Sequence, residues 1–276
     1  MLTARRDTLS IHSELRAMAW LGVMLIATGV GIVVKKHFED IGPLTIAIVI
    51  AAAAAGCYTW AALKQKAALD EYVVLLGALL ISADLGFIEH QWHLLGDVWQ
   101  RHFLILAIAH AAAAYFFDSR AVLSLSIASF AAWLGIEREP NGTIEWAIRA
   151  FACAAFVGMF RVANRRRDFD AVFEHFAANL MFWGAITLAY DRSDWKWLGA
   201  AIGVAMGTAA VAYGLRSGRE MFVIYGYIYG LIALDGIIVG TLRDEVLITL
   251  WLLTSTVAVI VAMIVTHLRF RHVSDA

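Results

Sequence analysis

Three ionisable side chains stand alone inside long apolar runs of this sequence: Asp84, His110 and Asp235. An ionised Asp near the bilayer centre costs about 2.5–3.5 kcal/mol on insertion scales, so such groups face a bundle interior or water. They carry protons or ions, contact a solute, or stay buried and hydrogen-bonded as internal glue. Asp84 and His110 would pair if their helices pack together. The residues alone leave the functional and the structural reading open.

A denser set follows Asp84. Glu89, His90 and His93 close the apolar run, Asp97 and His102 come next, and His37 and Glu39 lie in an earlier loop. If the helix reaches residue 93, Glu89 and His93 share a face. With His102 and His37 they would make a ligand set for a divalent metal such as zinc. A zinc hydrolase would use two His one turn apart with a Glu between them, and that pattern is absent. The plainer reading is an interfacial belt of His and Trp that needs no cofactor. Proton or ion gating is a third. No nucleotide loop, haem-attachment pair or nucleophile motif occurs, so no other cofactor is expected.

The elements that must position these residues follow from composition. Of 276 residues, 61% are hydrophobic and 16% charged, against about 25% charged in a soluble domain. That excludes a disordered chain and a disulfide scaffold, and a net charge of −1 leaves no basic field for nucleic acid. A bilayer core of roughly 30 Å asks for helices of about 17–25 residues. Ten apolar runs meet this, near 17–34, 43–63, 72–92, 102–118, 120–136, 144–163, 173–190, 195–215, 220–241 and 245–268. The runs are too long and too uniformly apolar for barrel strands. The expectation is an all-α polytopic bundle, one transmembrane domain over 1–276 without room for a soluble domain. The fifth and seventh runs are the weakest, and losing one would invert every later loop.

Charge distribution orients the spans. Fourteen of the 22 Lys and Arg residues fall on the N-terminal side, with Arg165, Arg166 and Arg167 the densest group. The positive-inside rule then places both termini in the cytoplasm. Lys35 and Lys36 follow the first run with no small-residue cleavage site, so it reads as a retained helix rather than a signal peptide. Trp20, Trp60, Trp92, Trp99, Trp146, Trp195, Trp197 and Trp251 lie near span ends, as interface anchors. Glu145 and Arg149 are one turn apart and can pair locally.

Gly199, Gly203 and Gly207 recur every four residues, which lets another helix approach closely. That neighbour is either a helix of the same chain or a second copy in a homo-oligomer. Tyr225, Tyr227 and Tyr229 alternate and spread over several helix faces, so no cage is expected. The stretch Leu80-Ile81-Ser82-Ala83-Asp84-Leu85-Gly86 resembles Leu231-Ile232-Ala233-Leu234-Asp235-Gly236. One reading of it is a weak parallel repeat of spans 1–4 and 7–10.

The first half resembles a known family. Trp20-Leu21-Gly22 through Gly29-Val30-Gly31, Phe38-Glu39-Asp40-Ile41-Gly42-Pro43, Ile88 to Asp97, and Tyr115-Phe116-Phe117-Asp118-Ser119-Arg120 are similar to the bacterial membrane family catalogued as domain of unknown function 2157. Glu89-His90 stands where that family often has Gly-Gln, and Trp92 where it has Tyr. The likeness covers about residues 17–136, leaving a second helical half at 144–268. It implies a multi-pass protein of the bacterial inner membrane and no assigned activity. A non-catalytic membrane partner or assembly subunit is the first expectation. A transporter of small solutes, ions or protons through Asp84, His110 and Asp235 is the second, and an interfacial metal-dependent enzyme the third.

Overall fold

In the computed structural model, the described residues are 42–64, 70–135, 142–191, 193–242 and 244–274, with isolated positions between 18 and 36. Trp20, His37 and Glu39 lie outside them, as do the side chains of Asp97 and Arg167. No strand occurs among the described residues. The chain divides into two compact units, Met1–Trp133 and Leu134–Ala276.

The first unit holds α1 (Pro43–Leu63), α2 (Asp70–Trp92), α3 (Arg101–Phe117) and α4 (Arg120–Trp133). The described positions within 17–34 are also helical. Pro43 opens α1, where its missing N–H costs nothing. The α1–α2 hairpin is sealed by Ile46, Ile50, Ala54 and Leu80, with Phe87 packed on them. Helix α2 also touches α3 and α4, which form a second hairpin. Its turn is the two residues Asp118-Ser119, as the adjoining runs 102–118 and 120–136 require. Asp118 takes a left-handed cap at φ 55°. The Ser119 hydroxyl then accepts the Val122 N–H at 3.3 Å and starts α4.

The second unit holds α5 (Thr143–Ala163), α6 (Asp170–Ala189), α7 (Trp195–Ser217), α8 (Glu220–Thr241) and α9 (Glu245–Ser274). Consecutive helices pack in order, and α6 also meets α8. The α7–α8 turn repeats the device of α3–α4. Gly218 is left-handed at φ 68°, and the Arg219 N–H reaches back to the Gly214 carbonyl at 2.9 Å.

Among the described residues, seven helices are long and apolar enough to cross a membrane: α1, α2 and all five of the second unit. Helices α3 and α4 have 17 and 14 residues, or roughly 25 and 21 Å at 1.5 Å per residue. The weakness expected at 120–136 is therefore real. The other weak run is not short, because α6 begins at Asp170 and spans 20 residues. Large aliphatic side chains point outward throughout, among them Leu250, Leu253, Val257 and Ile260 of α9. A membrane-embedded helix presents such a face to lipid.

The glycine stripe of α7 is occupied within its own unit. Gly199, Gly203 and Gly207 are all buried. A Cβ at Gly203 would come within 2.5 Å of the Ala233 Cβ, and one at Gly207 within 2.9 Å of the Gly226 carbonyl oxygen. At Gly199 it would collide with Leu188 and Ala189 at the end of α6. The close approach read from the spacing is present, and the neighbours are α6 and α8. That face is covered by helices of its own unit.

Candidate functional site

Helix α2 carries two polar groups on two faces. Gly77, Leu80, Asp84 and Phe87 recur at three- and four-residue intervals and share one side. A Cβ at Gly77 would lie 3.2 Å from Cys57 and 3.4 Å from Tyr58, so that side faces α1. Asp84 sits at its middle, 9% exposed, between Leu80 and Phe87 of its own helix. Its Oδ1 is fully buried and has no hydrogen-bond partner among the described residues.

Ser82 is two residues from Asp84 and so on the opposite side of α2. Its hydroxyl donates to the Ala78 carbonyl at 3.1 Å. It is thereby left to accept the Nε2–H of His110, 2.9 Å away on α3. His110 is 1% exposed, and its Nδ1 faces no partner among the described residues. This tautomer leaves a bare lone pair at Nδ1. Nearby, the Ser126 hydroxyl of α4 donates to the Ala107 carbonyl of α3 at 2.7 Å. The pairing of Asp84 with His110 does not form: the ring's partner is Ser82, on the other face.

Asp235 has different surroundings. It is 8% exposed on α8, and the Trp251 indole N–H of α9 donates to its Oδ1 at 2.7 Å. Trp251 thus has a bonding role beyond that of an interface anchor. Two further contacts fasten α9 to α8: the Tyr227 and Thr266 hydroxyls at 3.2 Å, and His267 Nδ1 with Glu220 Oε1 at 2.6 Å.

The seam between α6 and α8 holds groups that the sequence did not single out. Glu174 is clamped by Arg161 of α5 and by Arg219 at the start of α8. Beside it, the His175 ring stacks on Phe222 at 5.3 Å and meets the edge of Tyr225 at 5.6 Å. One turn on, the Tyr229 hydroxyl donates to Asn179 Oδ1 at 2.5 Å, and the Asn179 amide donates to the His175 carbonyl at 2.7 Å. Tyr225 and Tyr229 share this face, while Tyr227 points to α9. The alternating tyrosines separate as expected, yet two of them line one aromatic seam. A spacing of four between Tyr225 and Tyr229, beside Phe222, was the available signal.

The loop cluster after α2 is dispersed. The Glu89 carboxylate turns back and accepts the Leu95 N–H at 3.0 and 3.3 Å. His93 leaves the helix at φ 49°, while His90 and His93 are both exposed. His102 bonds the Trp99 carbonyl through Nδ1 and packs on Phe103, with ring centroids 4.1 Å apart. No three His, Cys, Asp or Glu side chains among the described residues converge as metal ligands. Glu89, His93 and His102 are not brought together, and His37 lies outside the described residues. Glu145 and Arg149 do pair, and Arg149 also donates to the Leu134 carbonyl at 3.3 Å.

These features define a class first: a multi-span helical membrane protein with isolated polar groups at its helix contacts. Residues 2–123 match the family model described as Predicted membrane protein (DUF2157), so the resemblance read over the first half is matched to within the first turn of α4. No curated protein and no solved structure matches the chain.

Proposed function

We propose that this protein is a non-catalytic membrane subunit, a partner or assembly component within the bilayer. The observation that supports it is the Trp251–Asp235 bond. A permeation path needs its polar groups facing a shared wet space, whereas Asp235 is held by a donor on the adjacent helix. Three further polar groups of the second unit behave likewise: Glu174 with two arginines, Tyr229 with Asn179, Tyr227 with Thr266. They fasten helices and leave the aliphatic face of α9 to lipid or to another helix.

The location that fits is a bacterial inner membrane with both termini cytoplasmic. Arg161, Arg216, Arg219 and Arg269 gather at one end of the second unit, where Glu174 bridges α5 to α8 and His267 meets Glu220. Basic residues at one end of several spans are what the positive-inside rule asks of a cytoplasmic face.

Native mass spectrometry of the chain released from its own membranes in a mild detergent tests the assignment. A complex of fixed stoichiometry with a second membrane protein is expected. A lone monomer under those conditions overturns it. One observation favours transport instead, the unpartnered Asp84. Ion or solute flux into proteoliposomes that is abolished by Asp84→Asn and retained in Asp235→Asn would establish that second reading.

A further inference from the structure

We propose that Asp84 is a proton-binding carboxyl set inside the α1–α2 hairpin. The seam supplies no alternative partner. From residue 46 to residue 57, α1 reads Ile-Ala-Ile-Val-Ile-Ala-Ala-Ala-Ala-Ala-Gly-Cys, without a hydroxyl, amide or cationic side chain. Facing it, Leu80 and Phe87 flank Asp84 above and below. The backbone N–H groups of both helices are engaged in their own ladders. The hydroxyl nearest in sequence, Ser82, faces the other way and is occupied by Ala78 and His110. The Oδ1 atom is therefore an acceptor for which the hairpin provides no donor.

Burial decides what can occupy it. A lysine or arginine of a neighbouring transmembrane helix needs an open flank, and Asp84 is nine-tenths covered. A solute amine needs a cavity between α1 and α2, where Ile46, Ile50 and Ala54 close the seam. A proton needs neither, and it turns the carboxyl into a group that hydrocarbon tolerates. This inference goes beyond the assembly role and does not depend on solute crossing the membrane.

Dicyclohexylcarbodiimide tests it on the unmodified full chain in its membrane. The reagent partitions into the hydrocarbon and adds to a protonated carboxyl. The carboxyl proton goes to a reagent nitrogen, the carboxyl oxygen bonds the central carbon, and an acyl shift gives a stable adduct with no leaving group. The expected result is the mass of one reagent on the peptide holding Asp84, with a yield that falls about tenfold or more as rising pH removes the proton. The peptide holding Asp235 should carry one-tenth of that or less, because the Trp251 indole covers its oxygen. Asp84→Asn should remove the first adduct and leave the rest of the labelling pattern unchanged. An infrared band of protonated carboxyl that is undiminished in Asp84→Asn overturns the assignment, as does equal labelling of the two aspartates. Protection by sodium ions with no dependence on pH also overturns it, in favour of an alkali cation. None of these outcomes bears on whether the chain purifies with a partner, so the two readings fail separately.

Discussion

Asp84 and Asp235 sit in nearly the same local sequence and have opposite surroundings. One faces an apolar seam without a donor, and the other accepts an indole N–H from α9. A hydrogen bond inside a membrane protein contributes about 0.6 kcal/mol on average and up to about 1.7. An acceptor left buried without its donor costs about 1–3 kcal/mol. Trp251→Phe is therefore expected to lower stability by about 1–2 kcal/mol, read from thermal unfolding in detergent. Asp235→Asn keeps an acceptor for the indole and should stay within about 0.5 kcal/mol of the parent. Adding Asp235→Leu to Trp251→Phe should recover much of the loss, since both polar partners are then gone. No recovery on adding Asp235→Leu would show that the indole acts only by packing. The isolation of Asp84 was not read from the sequence, which offered it His110; the donor-free stretch of α1 counts only once packing sets it opposite that carboxyl. The bond to Trp251 was not legible there either, since a contact across a loop and two helices has no periodic signature. The same holds for His110, whose partner depends on which face of α2 turns toward α3.

At the scale of the helix pair, α7 and α8 approach closely enough for glycine to be required. A Cβ on Gly226 would stand 2.5 Å from the Gly207 carbonyl oxygen and 2.6 Å from Val211, while one on Gly240 of the same helix would meet nothing within 4 Å. Gly226→Ala should cost about 1–3 kcal/mol, as overpacking does when backbone must shift. Gly240→Ala should be neutral or slightly stabilising, because alanine is the better helix former. Unfolding midpoints of the two variants measure the contrast directly. Their coincidence would mean that α7 and α8 are not in close contact in the membrane. The four-residue glycine spacing announced a close helix neighbour but could not say whose helix it was. Spacing fixes a face, and only packing identifies what covers that face. The element boundaries were more readable: the short turn at Asp118-Ser119, the runs from 43 onward and the shortness of 120–136 follow from span length and breakers.

For the whole molecule, crossing parity decides which loops share a side, and the α3–α4 hairpin is where parity could fail. At roughly 25 and 21 Å these two helices fall short of a 30 Å core. They are nevertheless a matched pair, joined by two residues and packed on each other, so they enter or cross together. If both cross, they add two passages. If they dip in and return, they add none. Every later span keeps its direction either way, so the topology inferred from arginine placement survives the shortness of both helices. The loop after α2 and the loop between α6 and α7 must then lie on the same side, separated by the hairpin and by the full-length α5 and α6. With Cys57 and Cys153 replaced by Ala, single cysteines at Leu94 and at Ser193, both exposed, report this. In intact spheroplasts a membrane-impermeant maleimide should label both. A cysteine at Arg165, at the opposite end of the second unit, should react only after permeabilisation. Labelling of the Leu94 and Ser193 positions from opposite sides would require an odd number of passages between them, and the hairpin could not then behave as a pair.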